Sequence, residues 1–377
     1  MPIESCNAYC RLVDGGRRIS LSGLFMARIT PTVVSDPLAD LGLDADGLLH
    51  HRRQWIKDYL QDLGRTEPLR VLIASNSLGC GGAEHQIFRL MPRLKELGLE
   101  VEHFYYCAPH FMKARFEEVR LKSHFLDRDS LGQWRFWKQT ASFIRQKRID
   151  IAHAFNGTAN FYVRGAAALA GVPVLIGGWR NRPMGGGLKF RIPISLLNMV
   201  SNAWVVNATT NTEALQRLWG MGRLRTYVVP NGLDFRDKDY TVADPLGEEM
   251  QSWVNGRMVV GAVGTISRQK NFDLFFDVAK RLSHLASKVC FCLVGGAETS
   301  SHDLERHLRN RIEREELSAY VRMMGNSANV AGLLPPFSVM LCTSDFEGCP
   351  NVVMEAMRAR LAVVMTDCCD TDLLVEE

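Results

Sequence analysis

Short apolar runs alternate with amphipathic stretches along most of this 377-residue chain, and that alternation constrains the fold more than any other feature. Runs such as 71–75 and 258–263 have the length of buried strands, and the stretches that follow repeat apolar residues at helical spacing. Strands that alternate with helices form parallel sheets with helices on both faces. Because the chain is longer than one hydrophobic core usually fills, the sequence predicts two such α/β domains.

Composition narrows the class of function. Apolar residues make up 46% of the chain and charged residues 23%, which is ordinary for a soluble globular protein. The net charge of +4 is too small to indicate nucleic acid as the main partner. The ten cysteines include no C-x₂-C pair, which predicts no metal site and indicates a reducing cytoplasm. The sequence has neither a run of 18 apolar residues nor a signal-peptide core, so any membrane contact would be peripheral.

The most informative stretch is residues 345–367, which places two carboxylates, Glu347 and Glu355, eight residues apart. Three residues between them suit the entry to a helix: Gly348, Pro350 and Asn351. Apolar residues at helical spacing predict a helix over about 351–359 with Asn351 as its N-cap. The start of a helix favours an anion such as phosphate, whereas an acid inside the helix can accept hydrogen bonds from sugar hydroxyls. The stretch therefore predicts hydroxyl acceptors beside an anion site.

A pair of cations, Arg268 and Lys270, follows the predicted strand at 258–263 and precedes a helix with an apolar stripe. Because the N-terminus of a helix carries partial positive charge, two cations placed there would hold a diphosphate. A solvated loop is the alternative interpretation of the same residues.

Glycine-rich turns follow several of the predicted strands and contain Gly81 and Gly82, Gly264, and Gly295. Glycine lets the backbone approach a ligand closely and leaves N–H groups free to donate. Small residues are also needed for packing at the first turn of any Rossmann-like domain, so both interpretations stay open. The spacing at 79–84 is not G-x-G-x-x-G, which disfavours a dinucleotide cofactor.

The sequence DFEGCPNVVMEAM at 345–357 resembles the E-x₇-E signature of retaining glycosyltransferases with the GT-B fold, of the family-4 type (glycosyl transferases group 1). GGAE at 81–84 and VPNGLD at 229–234 resemble further motifs of that family, and the resemblance extends over roughly 69–377. It implies two Rossmann-like domains that face a cleft. The implied organisation is an N-terminal extension of unknown role (1–68), an acceptor-side domain (69–236) and an incomplete donor-binding domain (237–377).

The resemblance also implies roles for individual residues. Lys270 and Arg268 would stabilise charge on the departing diphosphate, Glu355 would bind ribose hydroxyls, and Glu347 would hold the transferred sugar. His153 matches the first position of a histidine-bearing turn near that sugar, although a lone histidine at the end of a strand is more often structural. The donor site would further include small or turn-forming residues: Gly81, Gly82, Gly264, Gly295, Gly348, Pro350 and Asn351.

The implied activity is hexosyl transfer from a nucleoside-diphosphate sugar, of UDP or GDP type, to a hydroxyl with retention of configuration. The expected acceptor is a saccharide or a lipid-linked molecule in polysaccharide or glycolipid synthesis, at the inner face of the membrane, with neither metal nor cofactor. Arg180 and Arg182 would meet an anionic acceptor or be solvated. The glycine-rich and amphipathic stretch at 185–200 would face a membrane surface or form a packed helix.

Several positions depart from the family pattern. Thr265 stands where an arginine is expected, and Arg360 stands where a glycine usually ends the helix. Arg360 would cost about 1 kcal/mol if the left-handed conformation is retained. The chain ends soon after the last predicted strand, so the resemblance implies a truncated C-terminal half. Two alternatives therefore stay open: an inactive nucleotide-sugar-binding remnant of the same fold and a sugar-nucleotide epimerase.

Overall fold

The computed structural model describes residues 32–33, 45–79, 81–181, 188–212, 215, 225–233, 250, 253–297, 301–327 and 329–371. The chain divides between Gly232 and Leu233 into two compact units, and each unit contains a parallel sheet flanked by helices. The prediction of two α/β domains is therefore confirmed.

Parallel strands of the N-terminal unit form one sheet in the order β1-β8-β7-β6-β5-β2-β3-β4. Its strands are β1 (Thr32–Val33), β2 (Arg70–Ala74), β3 (Glu100–Tyr105), β4 (Ser123–Phe125), β5 (Ile151–Ala154), β6 (Val174–Trp179), β7 (Ala203–Val206) and β8 (Arg225–Val228). Its helices are α1 (Ala45–Asp62), α2 (Gly82–Glu96), α3 (Lys113–Glu118), α4 (Arg128–Leu131), α5 (Gln133–Gln146), α6 (Gly157–Ala170) and α7 (Leu188–Met199).

Both faces of this sheet are buried, which explains why β2 is apolar from Val71 to Ala74. Leu72 and Ala74 pack in one cluster with residues of α5 and α6, whereas Val71 and Ile73 pack in another with residues of α2 and α3. Successive side chains of a strand point to opposite faces, so helices on both sides require apolar residues at every position.

The N-terminal extension contributes to this unit. Its strand β1 pairs in parallel with β8 at the edge of the sheet. Helix α1 lies within the 1–68 extension, from Ala45 to Asp62. Arg53 Nε donates to the backbone carbonyl of Glu96 at the end of α2. Arg65 forms a bidentate ion pair with Asp150, in which Nη1 is 2.7 Å from Oδ1 and Nη2 is 3.1 Å from Oδ2. The described part of the extension is therefore packed against the domain that follows it.

The C-terminal unit contains a second parallel sheet, in the order β11-β10-β9-β12-β13. Its strands are β9 (Met258–Val263), β10 (Val289–Val294), β11 (Val321–Gly325), β12 (Val339–Cys342) and β13 (Ala362–Met365). Its helices are α8 (Phe272–Arg281), α9 (His302–Arg314), α10 (Val330–Leu333) and α11 (Asn351–Arg358). Cys290 and Cys292 on β10 are fully buried in its core and fill space as small apolar side chains.

Helix α11 begins where the sequence predicts it, but Asn351 is not its N-cap. Pro350 occupies that position with φ −72° and ψ 110°, and its carbonyl accepts the first helical hydrogen bond from Met354 N at 3.4 Å. Asn351 is already the first helical residue. A residue with helical dihedral angles cannot direct its side chain back to the first turn as an N-cap does, so that prediction was wrong.

The C-terminus of α11 ends in a Schellman motif, which is a pair of backbone hydrogen bonds. Leu361 N donates to Ala356 O at 3.0 Å, and Arg360 N donates to Met357 O at 2.9 Å. This arrangement requires a left-handed residue, and Arg360 adopts it with φ 61°. Helix α6 ends in the same way, with Gly171 at φ 78°. The strained arginine expected from the sequence is therefore present.

Arg360→Gly is expected to stabilise the C-terminal domain by about 1 kcal/mol, because glycine adopts the left-handed conformation without the Cβ clash. Denaturant titration of the full chain would measure the gain. Arg360→Ala is the matched control: it removes the guanidinium group but keeps Cβ, so it should show little gain. Equal stabilisation by both variants would assign the effect to the arginine side chain and contradict the backbone explanation.

Candidate functional site

Two of the candidate residues in the C-terminal half, Lys270 and Glu347, form an ion pair. Lys270 lies on a one-turn 3₁₀ helix (Arg268–Lys270) between β9 and α8, and Glu347 lies in the loop between β12 and α11. Lys270 Nζ is 2.5 Å from Glu347 Oε1, and the two side chains are 20% and 9% exposed. Since β9 and β12 are adjacent and parallel, their carboxyl ends bring together residues that are 77 positions apart in the sequence.

Neighbouring groups fix the Glu347 carboxylate from both sides. Ser344 Oγ donates to Oε1 at 2.8 Å, and Gln269 Nε2 donates to Oε2 at 3.2 Å. A carboxylate offers roughly four lone-pair positions. Together with Lys270, these donors occupy three, which leaves about one position for a ligand hydroxyl.

Backbone and side-chain hydrogen bonds join the two loops that carry the ion pair. Asp345 N donates to Gln269 O at 2.8 Å, and Thr343 Oγ1 donates to Lys270 O at 2.9 Å. Asn271 adopts a left-handed conformation at φ 44°, and its Nδ2 donates to Asp345 Oδ1 at 2.7 Å. The positions of Lys270 and Glu347 are therefore set by the loops as a unit.

The electrostatics of the pair keep Lys270 charged. Burial by itself would lower the pKa of the Lys270 ammonium, but the charge and hydrogen bond of Glu347 outweigh it and raise the pKa above its usual value. Lys270 is therefore protonated at neutral pH. An anionic ligand at this point would meet a cation that is already oriented and largely removed from water.

Packing requires glycine at Gly295 and leaves little room for a side chain at Gly264. A Cβ atom at Gly295 would lie 1.9 Å from the carbonyl oxygen of Gly264, so β9 and β10 could not approach as they do with any larger residue. A Cβ at Gly264 would lie 3.2 Å from Lys270 Cε, because the lysine stem crosses this glycine. The glycines thus let the Lys270 side chain lie along the ends of the strands.

The other predicted donor-site residues surround this pair in sequence. Gly348 and Pro350 are buried in the loop between Glu347 and α11, and Glu355 is half-buried in the second turn of that helix. Arg268 is exposed on the same 3₁₀ turn as Lys270. Their roles in ligand binding stay predictions.

At the N-terminal sheet, Gly81 is the N-cap of α2, and Gly82 is its first residue; both are exposed. The buried carboxylate of Glu84 folds back toward Gly81, where a Cβ would lie 2.7 Å from Glu84 Oε2. Ser77 Oγ donates to Glu84 Oε1 at 3.2 Å. The space beside Gly81 thus already contains a negative charge, which favours a hydroxyl donor over phosphate at that point.

His153 lies near Arg180 at the carboxyl edge of the same sheet. His153 is half-buried as a residue, but its ring Nε2 is buried and has no hydrogen-bond partner among the described residues. Burial lowers the pKa of His153 to about 3, and the charge of Arg180 adds to the shift. The Arg180 guanidinium carbon lies 3.9 Å from the centre of the Phe155 ring, and Nη1 is 3.4 Å from Asn231 Oδ1. His153 is therefore a neutral group at pH 7, and Arg180 is held in place. Arg182 lies outside the described residues.

Sequence reasoning missed several residues that position these groups. Gln269 and Ser344 are close in sequence to the predicted residues Lys270 and Glu347. Gln86 Nε2 donates to Gly232 O at 2.9 Å, and Gly232 N donates to Gln86 Oε1 at 3.0 Å. Asn156, which follows β5, donates to Asn76 Oδ1 at 2.5 Å. Polar residues directly after a buried strand were the available signal, since the carboxyl ends of parallel strands form the ligand-binding edge.

The described residues contain no group of three or more His, Cys, Asp or Glu side chains that could hold a metal ion. Within the same part of the chain, every helix is too short or too polar to cross a membrane. The arrangement at β9 and β12 offers instead a fixed cation and a fixed carboxylate, which suit a ligand with both phosphate and hydroxyl groups.

Comparisons with known proteins agree with this architecture. Residues 80–237 match the family described as Glycosyltransferase Family 4, and residues 257–377 match the family described as Glycosyl transferases group 1. The putative glycosyltransferase EpsF of Bacillus subtilis (strain 168) is 24% identical over 324 residues, which cover 79% of each chain.

Solved structures show the same fold. HepE from Anabaena, crystallised with UDP-glucose, gives a TM-score of 0.67 at 22% identity over 82% of this chain and 83% of that chain. A glycosyltransferase from Rickettsia africae gives a TM-score of 0.67 at 14% identity over 82% of both chains. Both halves of the chain thus match glycosyltransferase families, and its two parallel-sheet domains match their architecture. The chain is a glycosyltransferase of the GT-B fold.

Proposed function

We propose that this chain transfers a hexosyl group from a nucleoside-diphosphate sugar to a hydroxyl with retention of configuration. The observation that carries the proposal is the Lys270–Glu347 pair at the carboxyl ends of β9 and β12. Glu347 also lies eight residues before the second acid, Glu355. HepE, which has a similar fold, has been crystallised with UDP, with UDP and glucose, and with UDP-glucose. A UDP- or GDP-type donor is accordingly the ligand that we propose, with no metal or cofactor.

Each residue has a distinct part in the proposed mechanism. Lys270, with Arg268 beside it, stabilises the charge that develops on the departing diphosphate, the contribution that is usually largest in such reactions. Glu347 holds Lys270 in place and offers its remaining lone pair to the transferred sugar. Glu355 accepts hydrogen bonds from the ribose hydroxyls, and Gly348, Pro350 and Asn351 shape the loop between the acids. His153, as a neutral imidazole, exchanges hydrogen bonds with a hydroxyl.

The N-terminal domain is proposed to bind the acceptor, which is a saccharide or a lipid-linked molecule in polysaccharide or glycolipid synthesis. Glu84 beside Gly81 and Gly82 is suited to accept a hydrogen bond from a hydroxyl. A lipid-linked acceptor would bring the enzyme to the cytoplasmic face of a membrane, so a cytoplasmic location with peripheral membrane contact belongs to this proposal.

Donor turnover tests the proposal. Thermal-shift measurements with UDP-, GDP- and ADP-sugars identify the donor, and nucleotide release is then followed with and without added saccharide acceptors. Transfer predicts that an acceptor accelerates nucleotide release. Stabilisation by a donor with no release would indicate an inactive binding protein, and a changed sugar without nucleotide release would indicate an epimerase; either result would overturn the proposal.

A further inference from the structure

A chain of buried polar groups runs from the middle of β3 to the first turn of α2. His103 Nε2 lies 2.9 Å from Ser75 Oγ, and Ser75 Oγ donates to the backbone carbonyl of Ser77 at 2.6 Å. Ser77 Oγ donates in turn to Glu84 Oε1 at 3.2 Å. All four residues are at most 8% exposed. A histidine in the core is thus connected to the carboxylate that lies beside Gly81.

The hydrogen bonds determine where the proton of His103 lies. The single hydroxyl proton of Ser75 is donated to the carbonyl of Ser77, so Ser75 Oγ can only accept from the imidazole. Burial lowers the pKa of His103 to about 3, so the ring is neutral at pH 7 and carries one proton. That proton is therefore on Nε2. The imidazole fixes the Ser75 hydroxyl, and this hydroxyl fixes the backbone of Ser77.

Packing of the core does not require a histidine at this position. The His103 ring lies among aromatic side chains, with its centre 5.6 Å from that of Tyr105 and 5.5 Å from that of Phe116. Its Nδ1 is buried and has no hydrogen-bond partner among the described residues. A buried acceptor without a partner destabilises a fold, and an apolar side chain of similar size would avoid that loss. The contact of Nε2 with Ser75 therefore accounts for the histidine.

The loop after β2 also has backbone anchors that do not involve the imidazole. Cys107 N donates to Asn76 O at 2.7 Å, and Leu78 N donates to Pro109 O at 3.2 Å. These bonds set the path of the loop along the end of β3. The His103 ring controls a narrower property, which is the orientation of the two serine hydroxyls and, through the second of them, of the carboxylate.

We propose that His103 is a positioning residue for the Glu84 carboxylate, which it holds, through the two serines, in the orientation that receives a hydroxyl of the acceptor. Ser77 engages Oε1, so Oε2, which lies on the side of Gly81, is the oxygen that accepts from that hydroxyl. His103 itself does not touch the acceptor. This role rests on the proposed function, because it requires that Glu84 meets the acceptor.

NMR of the glutamate carboxyl groups tests the positioning without any acceptor. The full chain is labelled with ¹³C at these carboxyl carbons, and the resonance lost in Glu84→Gln is assigned to Glu84. His103→Leu should shift this resonance in the same direction as Ser77→Ala does, because both disturb the hydrogen bond to Oε1. His103→Gln should restore the wild-type resonance, because its amide can donate from the position of Nε2. His103→Asn, which is one bond shorter, should not restore it.

Kinetics test the consequence for the reaction, with nucleotide release from UDP-glucose as the measurement and p-nitrophenyl β-glucoside as the acceptor probe. His103→Leu is expected to raise KM for the acceptor probe by about tenfold, the low end for the loss of a hydrogen bond to a charged group. The KM for UDP-glucose should not change, because Lys270 and Glu355, which are proposed to bind the donor, lie in the C-terminal domain. His103→Gln should return the KM for the acceptor probe to the wild-type value.

His124→Leu is the matched control. His124 lies on the neighbouring strand β4, and its Nε2 is 2.8 Å from Glu102 Oε2, so it has no part in the chain that leads to Glu84. Its Glu84 resonance and both KM values should equal those of the wild type. If His103→Leu does not fold, Ser75→Ala breaks the same chain outside the aromatic cluster and should give the same shift.

The two measurements separate this role from the transfer reaction. A wild type whose nucleotide release is not accelerated by the acceptor probe would count against the proposed transfer, whereas the Glu84 resonance would still decide the role of His103. An unchanged Glu84 resonance in His103→Leu and Ser75→Ala would overturn the positioning role. Equal increases in KM for the probe and for UDP-glucose, with no restoration by His103→Gln, would also overturn it and leave His103 as a packing residue.

Discussion

Lys270→Met is expected to lower the rate of sugar transfer by about 10²–10³-fold, the loss seen when one preorganised donor to developing negative charge is removed. Methionine keeps an unbranched apolar stem over Gly264 but has no ammonium group, so the packing of the stem is largely retained while the charge is lost. Single-turnover kinetics with saturating donor would measure the loss directly, because it reports the chemical step separately from donor binding.

The same substitution leaves Glu347 without its cation in a site where its side chain is 9% exposed. We expect a cost of roughly 1–3 kcal/mol in unfolding free energy, below that of a fully buried pair because water reaches Lys270. The double variant Lys270→Met, Glu347→Gln should recover much of this stability, because the unpaired charge is removed, but it should stay inactive. A double variant with recovered activity would show that Lys270 acts only as the partner of Glu347.

Glu355→Ala is expected to reduce kcat/KM for the donor to below about 1% of the wild-type value. Two charge-assisted hydrogen bonds to ribose hydroxyls, at roughly 1.5–3 kcal/mol each, account for a loss of this size. The measurement is the rate of nucleotide release at low donor concentration in the presence of acceptor.

Glu313→Ala is the matched control, because Glu313 is an exposed acid on α9 of the same domain, outside the loop–helix unit that carries Glu347. Its kinetics should be those of the wild type. If Glu355→Ala also gave wild-type kinetics, Glu355 would have no part in the donor site and the E-x₇-E interpretation would fail for this chain.

The sequence was sufficient for the order and type of most elements, because they depend on local periodicity. The runs at 71–75 and 258–263 correspond to β2 and β9. The stretch that contains Glu347 and Glu355 forms the loop and helix that were expected. Arg360 was recognised as a strained helix end from the family resemblance, in which a glycine usually stands at this position, and its φ of 61° agrees. An error occurred at a helix boundary, where Pro350 replaces Asn351 as the N-cap of α11.

Only the tertiary structure decided how the candidate residues act on one another. The resemblance implied that Lys270 and Glu347 serve one donor site, but their direct ion pair depends on β9 and β12 being neighbours, which periodicity does not specify. Gln269 and Ser344 acquire a role only because that pairing places them on the two sides of one carboxylate. Likewise, the apolar residues of α7 were visible in the sequence, but which of them face water depends on how α6 and α7 pack. Local order is set by neighbours along the chain, whereas the chemistry of a site is set by neighbours in space.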